Sequence, residues 1–139
     1  MQNDFDRFIA VHNKSYDIAL TEIRSGRKHS HWMWYIFPQL KGLGHSQTAQ
    51  YYAIENLAEA TAYLQHPLLG KNLVRISKAL FELEQKTAHE IFGTPDDLKL
   101  RSCMTLFAQV SDTHPIFRRI IDKYFDGKPD PVTLELLNA

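Results

Sequence analysis

The amino-acid sequence predicts an all-α fold: a single domain over residues 1–139, with about seven to nine short helices in an irregular orthogonal array. Three observations carry this prediction. Apolar residues recur at helical spacing through most of the chain. Helix-start signals punctuate it at intervals typical of short helices. Period-two alternation is missing, since the apolar, β-prone run Tyr35-Ile36-Phe37 is too short to make a strand.

The elements follow in chain order. Phe5, Phe8, Ile9, Tyr16, Ala19, Leu20 and Ile23 fall on one helical stripe. Asn13 and Ser15 are placed to divide it into two helices, with Ser15 as the second N-cap, and Gly26 closes it as a C′ residue. Asn56-Leu57-Ala58-Glu59 resembles a capping box and starts a helix ending near His66. Pro67 suits the first turn of the next helix, which carries Leu69, Leu73, Ile76, Leu80 and Leu83. Thr87-Ala88-His89-Glu90 is a second box, opening a short helix that Gly93 stops. Thr94-Pro95-Asp96-Asp97 offers a cap, a proline at the first helical position and two acids facing the positive end of the dipole. That helix is expected to run through Leu106 to Val110. Pro115 opens another, ended by Gly127, and Asp130-Pro131 opens the last. No repeat or linker interrupts the pattern.

Composition narrows the function classes. Sixteen basic and sixteen acidic side chains cancel, which argues against a nucleic-acid backbone or an anionic membrane as the main partner. Cys103 is the one cysteine, so an internal disulfide and a thiolate metal cluster are both excluded. The first residues lack the pattern of a signal peptide, and no apolar run is long enough for a membrane span. The expectation is a cytoplasmic monomer that holds no metal and no cofactor.

The segment His29-Ser30-His31-Trp32-Met33-Trp34-Tyr35-Ile36-Phe37-Pro38-Gln39 concentrates aromatic surface at one joint. Three readings are open. In the first, Trp32, Trp34, Tyr35 and Phe37 fill the core, Trp32 sharing a face with Tyr35 and Trp34 with Phe37. In the second they wall a pocket, where His29, His31, Gln39 and His45 supply polar groups. Gly42 and Gly44 would then allow close backbone approach, and Ser46 would start a helix able to hold an anion. The basic run Arg24-Ser25-Gly26-Arg27-Lys28-His29 would attract a phosphate or carboxylate on a stackable ring, as a nucleotide presents. The third reading is metal; the histidine spacing lacks the one-turn separation of helical zinc ligands, and a surface histidine pair explains it more simply.

Elsewhere Asp97 and Arg101, four apart, read as a surface ion pair. Cys103 and His12 read as core residues. If chemistry occurs, His31 is the first candidate for acid–base work, because imidazole exchanges protons near neutral pH, and Asp97 is the second. Lys99 joins the candidate ligand-binding group of His29, His31, Trp32, Trp34, Gln39, Gly44 and Ser46.

Several of these stretches resemble one family. Trp32-x-Trp34-x-Ile36-Phe37-Pro38-Gln39, Gly42-Leu43-Gly44-x-Ser46 and Tyr52-Ala53-Ile54 are similar to the bacterial domain of unknown function 1810. So are Tyr63-Leu64-x-His66-Pro67-Leu68-Leu69-Gly70, Asp97-x-Lys99, Thr105-Leu106-Phe107 and Phe125-x-Gly127-x-x-Asp130. The resemblance spans nearly the whole chain and implies a small, mostly helical domain. It implies no reaction. Some such proteins carry the label calpastatin, but calpain inhibitors of that kind are long, repetitive, disordered chains poor in aromatics, and this one is not.

Two expectations from different classes therefore stand. One is a small-molecule binding domain, with hydrolysis of a nucleotide-like or other anionic metabolite as its candidate activity, in a cleft at residues 29–46. The other is a non-catalytic protein-interaction module, with those residues in the core and an apolar patch exposed elsewhere.

Overall fold

The computed structural model describes residues 5–139, and among them it shows an all-helical architecture. The helices are α1 (Asp6–Ser25), α2 (Met33–Ile36), α3 (Gln47–Tyr51), α4 (Leu57–Gln65), α5 (Leu69–Phe81), α6 (Ala88–Phe92), α7 (Asp96–Ala108), α8 (Ile116–Tyr124) and α9 (Pro131–Leu137). One buried cluster runs through them, from Phe8 and Ile23 on α1 through Trp32, Leu73, Ile76 and Leu80 to Met104, Phe107 and Ile120.

α1 is one continuous helix, which corrects the expected break at Asn13 and Ser15. The buried positions Phe8, His12, Tyr16, Leu20 and Ile23 repeat every three or four residues across that point. Burying this face outweighs the small helix-propensity cost of Asn and Ser. Ser15 caps nothing; its hydroxyl donates to the Tyr35 hydroxyl at 3.4 Å. Gly26 ends the helix in the left-handed region at φ 86°, and its N–H returns to the Glu22 and Ile23 carbonyls.

α4 and α5 set the wall that matters below. The Asn56 side chain accepts from the Glu59 N–H at 2.9 Å, as a cap should. The reciprocal half of the box is missing, because the Glu59 carboxylate accepts from the Glu55 N–H and pairs with Arg7 at 3.2 Å. His66 opens α5: its ring Nδ1 accepts from the Leu68 and Leu69 N–H groups, while Pro67 stays outside the helix. Gly70 lies where any Cβ would sit 1.9 Å from the Leu64 carbonyl oxygen, so only glycine lets α4 and α5 meet this closely.

Thr87 and Glu90 complete the capping box of α6. At α7 the expectation needs correction. Pro95, preceded by a cis peptide bond, occupies the N-cap position, and Asp96 is the first helical residue. The Thr94 hydroxyl is engaged instead by the His89 ring at 3.0 Å and the Asp97 carboxylate at 3.5 Å. Arg101 does not pair with Asp97. Its guanidinium donates to the Lys128 and Pro129 carbonyls and ties α7 to the turn before α9. The Asp130 carboxylate caps α9 and also accepts from the Ser102 and Thr133 hydroxyls.

Residues 37–54 loop out and return through a single parallel bridge between Leu40 and Ile54. Lys41 N–H donates to the Ile54 carbonyl at 2.8 Å, and Ile54 N–H to the Gln39 carbonyl at 2.9 Å. The loop that follows the aromatic segment is thereby closed at its base.

Candidate functional site

The aromatic joint is organised around one carboxylate. Glu22, in the last turns of α1, accepts from the His29 and Ser30 N–H groups, the Ser30 hydroxyl and the Trp32 indole at 2.6–2.9 Å. Burial alone would raise its pKa; these four donors outweigh that and hold it down to about 2. The charged carboxylate therefore pins the loop back onto the helix it has just left.

Trp32 is 1 % exposed and packs against Phe37 and Phe92. It is core, which corrects its expected place in a pocket wall: the apolar ring has no free face, and its one donor is satisfied. Trp34 differs. Its ring is half-buried, with the Lys99 ammonium 5.1 Å from the ring centre. Lys99 also lies 3.6 Å from Asp96, whose other oxygen pairs at 3.0 Å with Lys28; Lys28 in turn stands 5.1 Å above Trp32. A Lys28–Asp96–Lys99 ladder thus spans the two indoles and engages both lysines with one carboxylate.

The other expected residues scatter around this knot. His29, His31 and His45 are exposed, and His31 contributes only its carbonyl, to the Tyr35 hydroxyl at 3.0 Å. Gln39 and Gly44 do meet, with the Gln39 amide 3.5 Å from where a Gly44 Cβ would stand. Ser46 caps α3 by accepting from Ala49 N–H, and α3 is five residues long. Asp97 lies 3.7 Å from the His89 ring. No hydrogen bond or ion pair joins His31 to Asp97 among the described residues, so the two catalytic candidates form no unit. Cys103 is fully buried, and burial pushes its thiol well above the usual range, away from thiolate chemistry. No group of three His, Cys, Asp or Glu side chains gathers to hold a metal among the described residues.

The structure opens elsewhere. α5 has two faces. Leu69, Leu73, Ile76 and Leu80 turn into the core, while Lys71, Val74, Arg75, Lys78, Ala79 and Glu82 line a cleft of about 680 Å³. The end of α4 (Leu64, Gln65), His66 and Pro67 form its second wall. Arg24, from the last turn of α1, also lines it. Four cations thus converge on an apolar floor with one acid, Glu82, among them. None of the four is ion-paired with a carboxylate among the described residues. Arg75 and Arg24 act on the nearby Tyr16 phenol, which burial raises above its ordinary pKa and these cations draw back. A smaller cleft of about 500 Å³ lies beyond the α1 terminus, where Arg27, Lys28, Lys86 and His89 meet Gly93. The basic run expected to serve one pocket is therefore divided: Arg24 faces one cleft, Arg27 and Lys28 the other.

Sequence reasoning missed the larger cleft because its residues look like the solvated face of an amphipathic helix. Two signals were legible: a glycine inside the α5 pattern, and cations at i, i+4 and i+7 along one side of it. Among the described residues the large apolar side chains that remain exposed, Ile18, Tyr51, Leu98, Val132 and Leu136, come from four different helices.

Fold and site together define an all-helical protein with a cation-lined cleft beside a continuous core. The chain belongs to the family described as protein of unknown function, DUF1810, which matches residues 2–137. It is similar to the conserved hypothetical protein Rv1873 from Mycobacterium tuberculosis, known from a crystal structure at 1.38 Å. The two are 45% identical over 96% of this chain and 95% of that one, with a TM-score of 0.93. No curated protein matches. No helix among the described residues is long and apolar enough to cross a membrane.

Proposed function

We propose that this protein binds a small anionic metabolite in the cleft between α1, α4 and α5. The observation that carries the reading is the convergence of Arg24, Lys71, Arg75 and Lys78, none of them ion-paired among the described residues, on an apolar floor. Cations lining one cleft repel one another, and a bound anion relieves that repulsion. The volume is within the range of small-molecule sites, and an apolar lining with a few charged groups is how such sites are built. The larger cleft supports this reading better than the aromatic joint, where Trp32 has no free face and Lys28 and Lys99 are both engaged by Asp96.

Hydrolysis of the ligand is not part of the proposal. Around the cleft the titratable groups other than the cations are Glu82 and His66, and the His66 Nδ1 is occupied by two backbone N–H groups of α5. A binding role needs neither.

A thermal-shift screen of small phosphates and carboxylates tests the reading. A ligand at a hundred times its dissociation constant adds about 2.7 kcal/mol, a shift of roughly 5–12 °C for a protein of this size. The shift is expected to vanish in Arg75→Ala, whose own melting temperature stays near that of the wild type. A shift retained in both Arg75→Ala and Arg24→Ala would move the site elsewhere.

A further inference from the structure

The cleft's cations are not gathered at a point. Lys71, Arg75 and Lys78 follow one another at i, i+4 and i+7 along α5, so their stems are spread over roughly 10 Å at about 1.5 Å per residue. Arg24 reaches the same cleft from the end of α1. A single phosphate or carboxylate can be held by two neighbouring members of such a row, but it cannot span both ends. Val74 and Ala79 alternate with the cations on the same face, and Leu64 and Pro67 face them from α4 and the turn that follows. Charge and apolar surface therefore run side by side along the groove.

We infer that the ligand carries two or more phosphates in a chain attached to a flat or apolar body, as in a nucleoside di- or triphosphate, with the chain laid along Lys71, Arg75 and Lys78 and the body on Val74, Leu64 and Pro67. This inference rests on the reading of the cleft as an anion site. The row suits a phosphate chain because each successive group meets a fresh cation, and each charge-assisted hydrogen bond adds to the last. Glu82, one turn beyond Lys78, closes the row with the opposite sign and marks its end.

Isothermal titration of the full chain with adenosine mono-, di- and triphosphate at fixed ionic strength, and with inorganic tripolyphosphate, decides the matter. Each added phosphate is expected to tighten binding about tenfold, the size of one charge-assisted contact. Tripolyphosphate is expected to bind about tenfold more weakly than adenosine triphosphate, because it leaves the apolar floor uncovered. Lys71→Ala and Lys78→Ala, both exposed side chains at the ends of the row, are expected to weaken the triphosphate about tenfold and the monophosphate much less, because each variant still leaves two neighbouring cations for a single phosphate. Equal affinities for mono- and triphosphate would overturn the inference and leave the anion site standing, and so would end variants that weaken both alike. Equal binding of tripolyphosphate and adenosine triphosphate would overturn the part assigned to the floor. If none of these compounds binds while other small anions shift the melting temperature, the polyphosphate assignment falls alone. If no anion of any kind shifts it, both fall together.

Discussion

The aromatic joint at residues 29–46 and the cleft between α1, α4 and α5 are built from similar side chains and do opposite things with them. Both contain histidine, cations and apolar surface. In the joint the polar groups find one another: four donors close on Glu22, and Lys28 and Lys99 share Asp96. In the cleft Arg24, Lys71, Arg75 and Lys78 line an apolar floor, and none of them forms an ion pair among the described residues. Dense aromatic sequence marks a place where the fold is held together. Unmatched charge marks a place where something else can be held.

The largest effect that would sharpen this contrast comes from the two tryptophans. Trp32→Ala removes a fully buried ring with a satisfied indole and is expected to cost about 3–5 kcal/mol. Trp34→Ala removes a half-buried ring beneath Lys99 and is expected to cost about 1–2 kcal/mol. Urea midpoints of the two variants measure the difference. Similar losses would mean that the joint is not divided into a core indole and a surface one.

Next in size is Gly70→Ala. Its methyl group would meet the Leu64 carbonyl oxygen at 1.9 Å and force α4 away from α5, at a cost of about 1–3 kcal/mol. Because that crossing also forms a wall of the cleft, ligand binding should weaken along with stability. A variant as stable as wild type would show that the two helices separate easily. Glu22→Gln keeps the shape of the knot but presents an amide N–H₂ to groups that donate. A loss of about 2 kcal/mol is expected, with no loss of ligand binding.

The pH dependence separates the regions again. Burial lowers the pKa of His12, with Asp17 opposing and His66 assisting, and it lowers that of His114 with help from Lys78 and Arg119. Both are therefore favoured neutral in the fold, and the unfolded chain takes up their protons first. Their contribution is fully present above about pH 6.5 and is lost as pH falls through the folded values. Glu22, whose pKa is drawn down from 4.5 to about 2, adds a second loss across that lower window. Denaturant midpoints from pH 8 to pH 3 should fall in these two stages, and Glu22→Gln should flatten the second. An unchanged second stage in that variant would detach it from Glu22.

The smallest effect on stability belongs to the cleft. Arg75→Ala and Lys78→Ala should change it by no more than about 0.5 kcal/mol, as exposed side chains usually do. A gain in stability would follow if repulsion among the cations outweighed the packing of their stems. A clear loss would mean that these cations serve the fold.

How far the sequence could lead depends on the range of the interaction. Caps and stops are local, so Asn56, Thr87, Asp130, Gly26 and Gly93 announced their helices correctly. The break proposed at Asn13 failed because local propensity is weak beside a continuous buried face. Pro95 lies one position earlier than its chemistry suggested, and Arg101 chose two carbonyls of a distant turn over the acid one helical turn away. In the joint, periodicity placed Trp32 and Tyr35 on one face, yet Trp32 enters the core while Tyr35 stays half-buried beneath the Ser15 hydroxyl. The cleft was illegible because it draws on Arg24, the α4 end and one side of α5, and nothing local tells a solvated helix face from the wall of a groove.

The most direct test is a ¹⁵N–¹H correlation spectrum of the wild-type protein titrated with adenosine triphosphate. Saturable shifts centred on the backbone amides of Arg24, Gly70, Lys71, Arg75 and Lys78, with His31 to Ser46 unmoved, are the predicted result. Shifts centred on Trp34, Gln39 and Ser46, with α5 silent, would contradict the account and return the site to the aromatic joint.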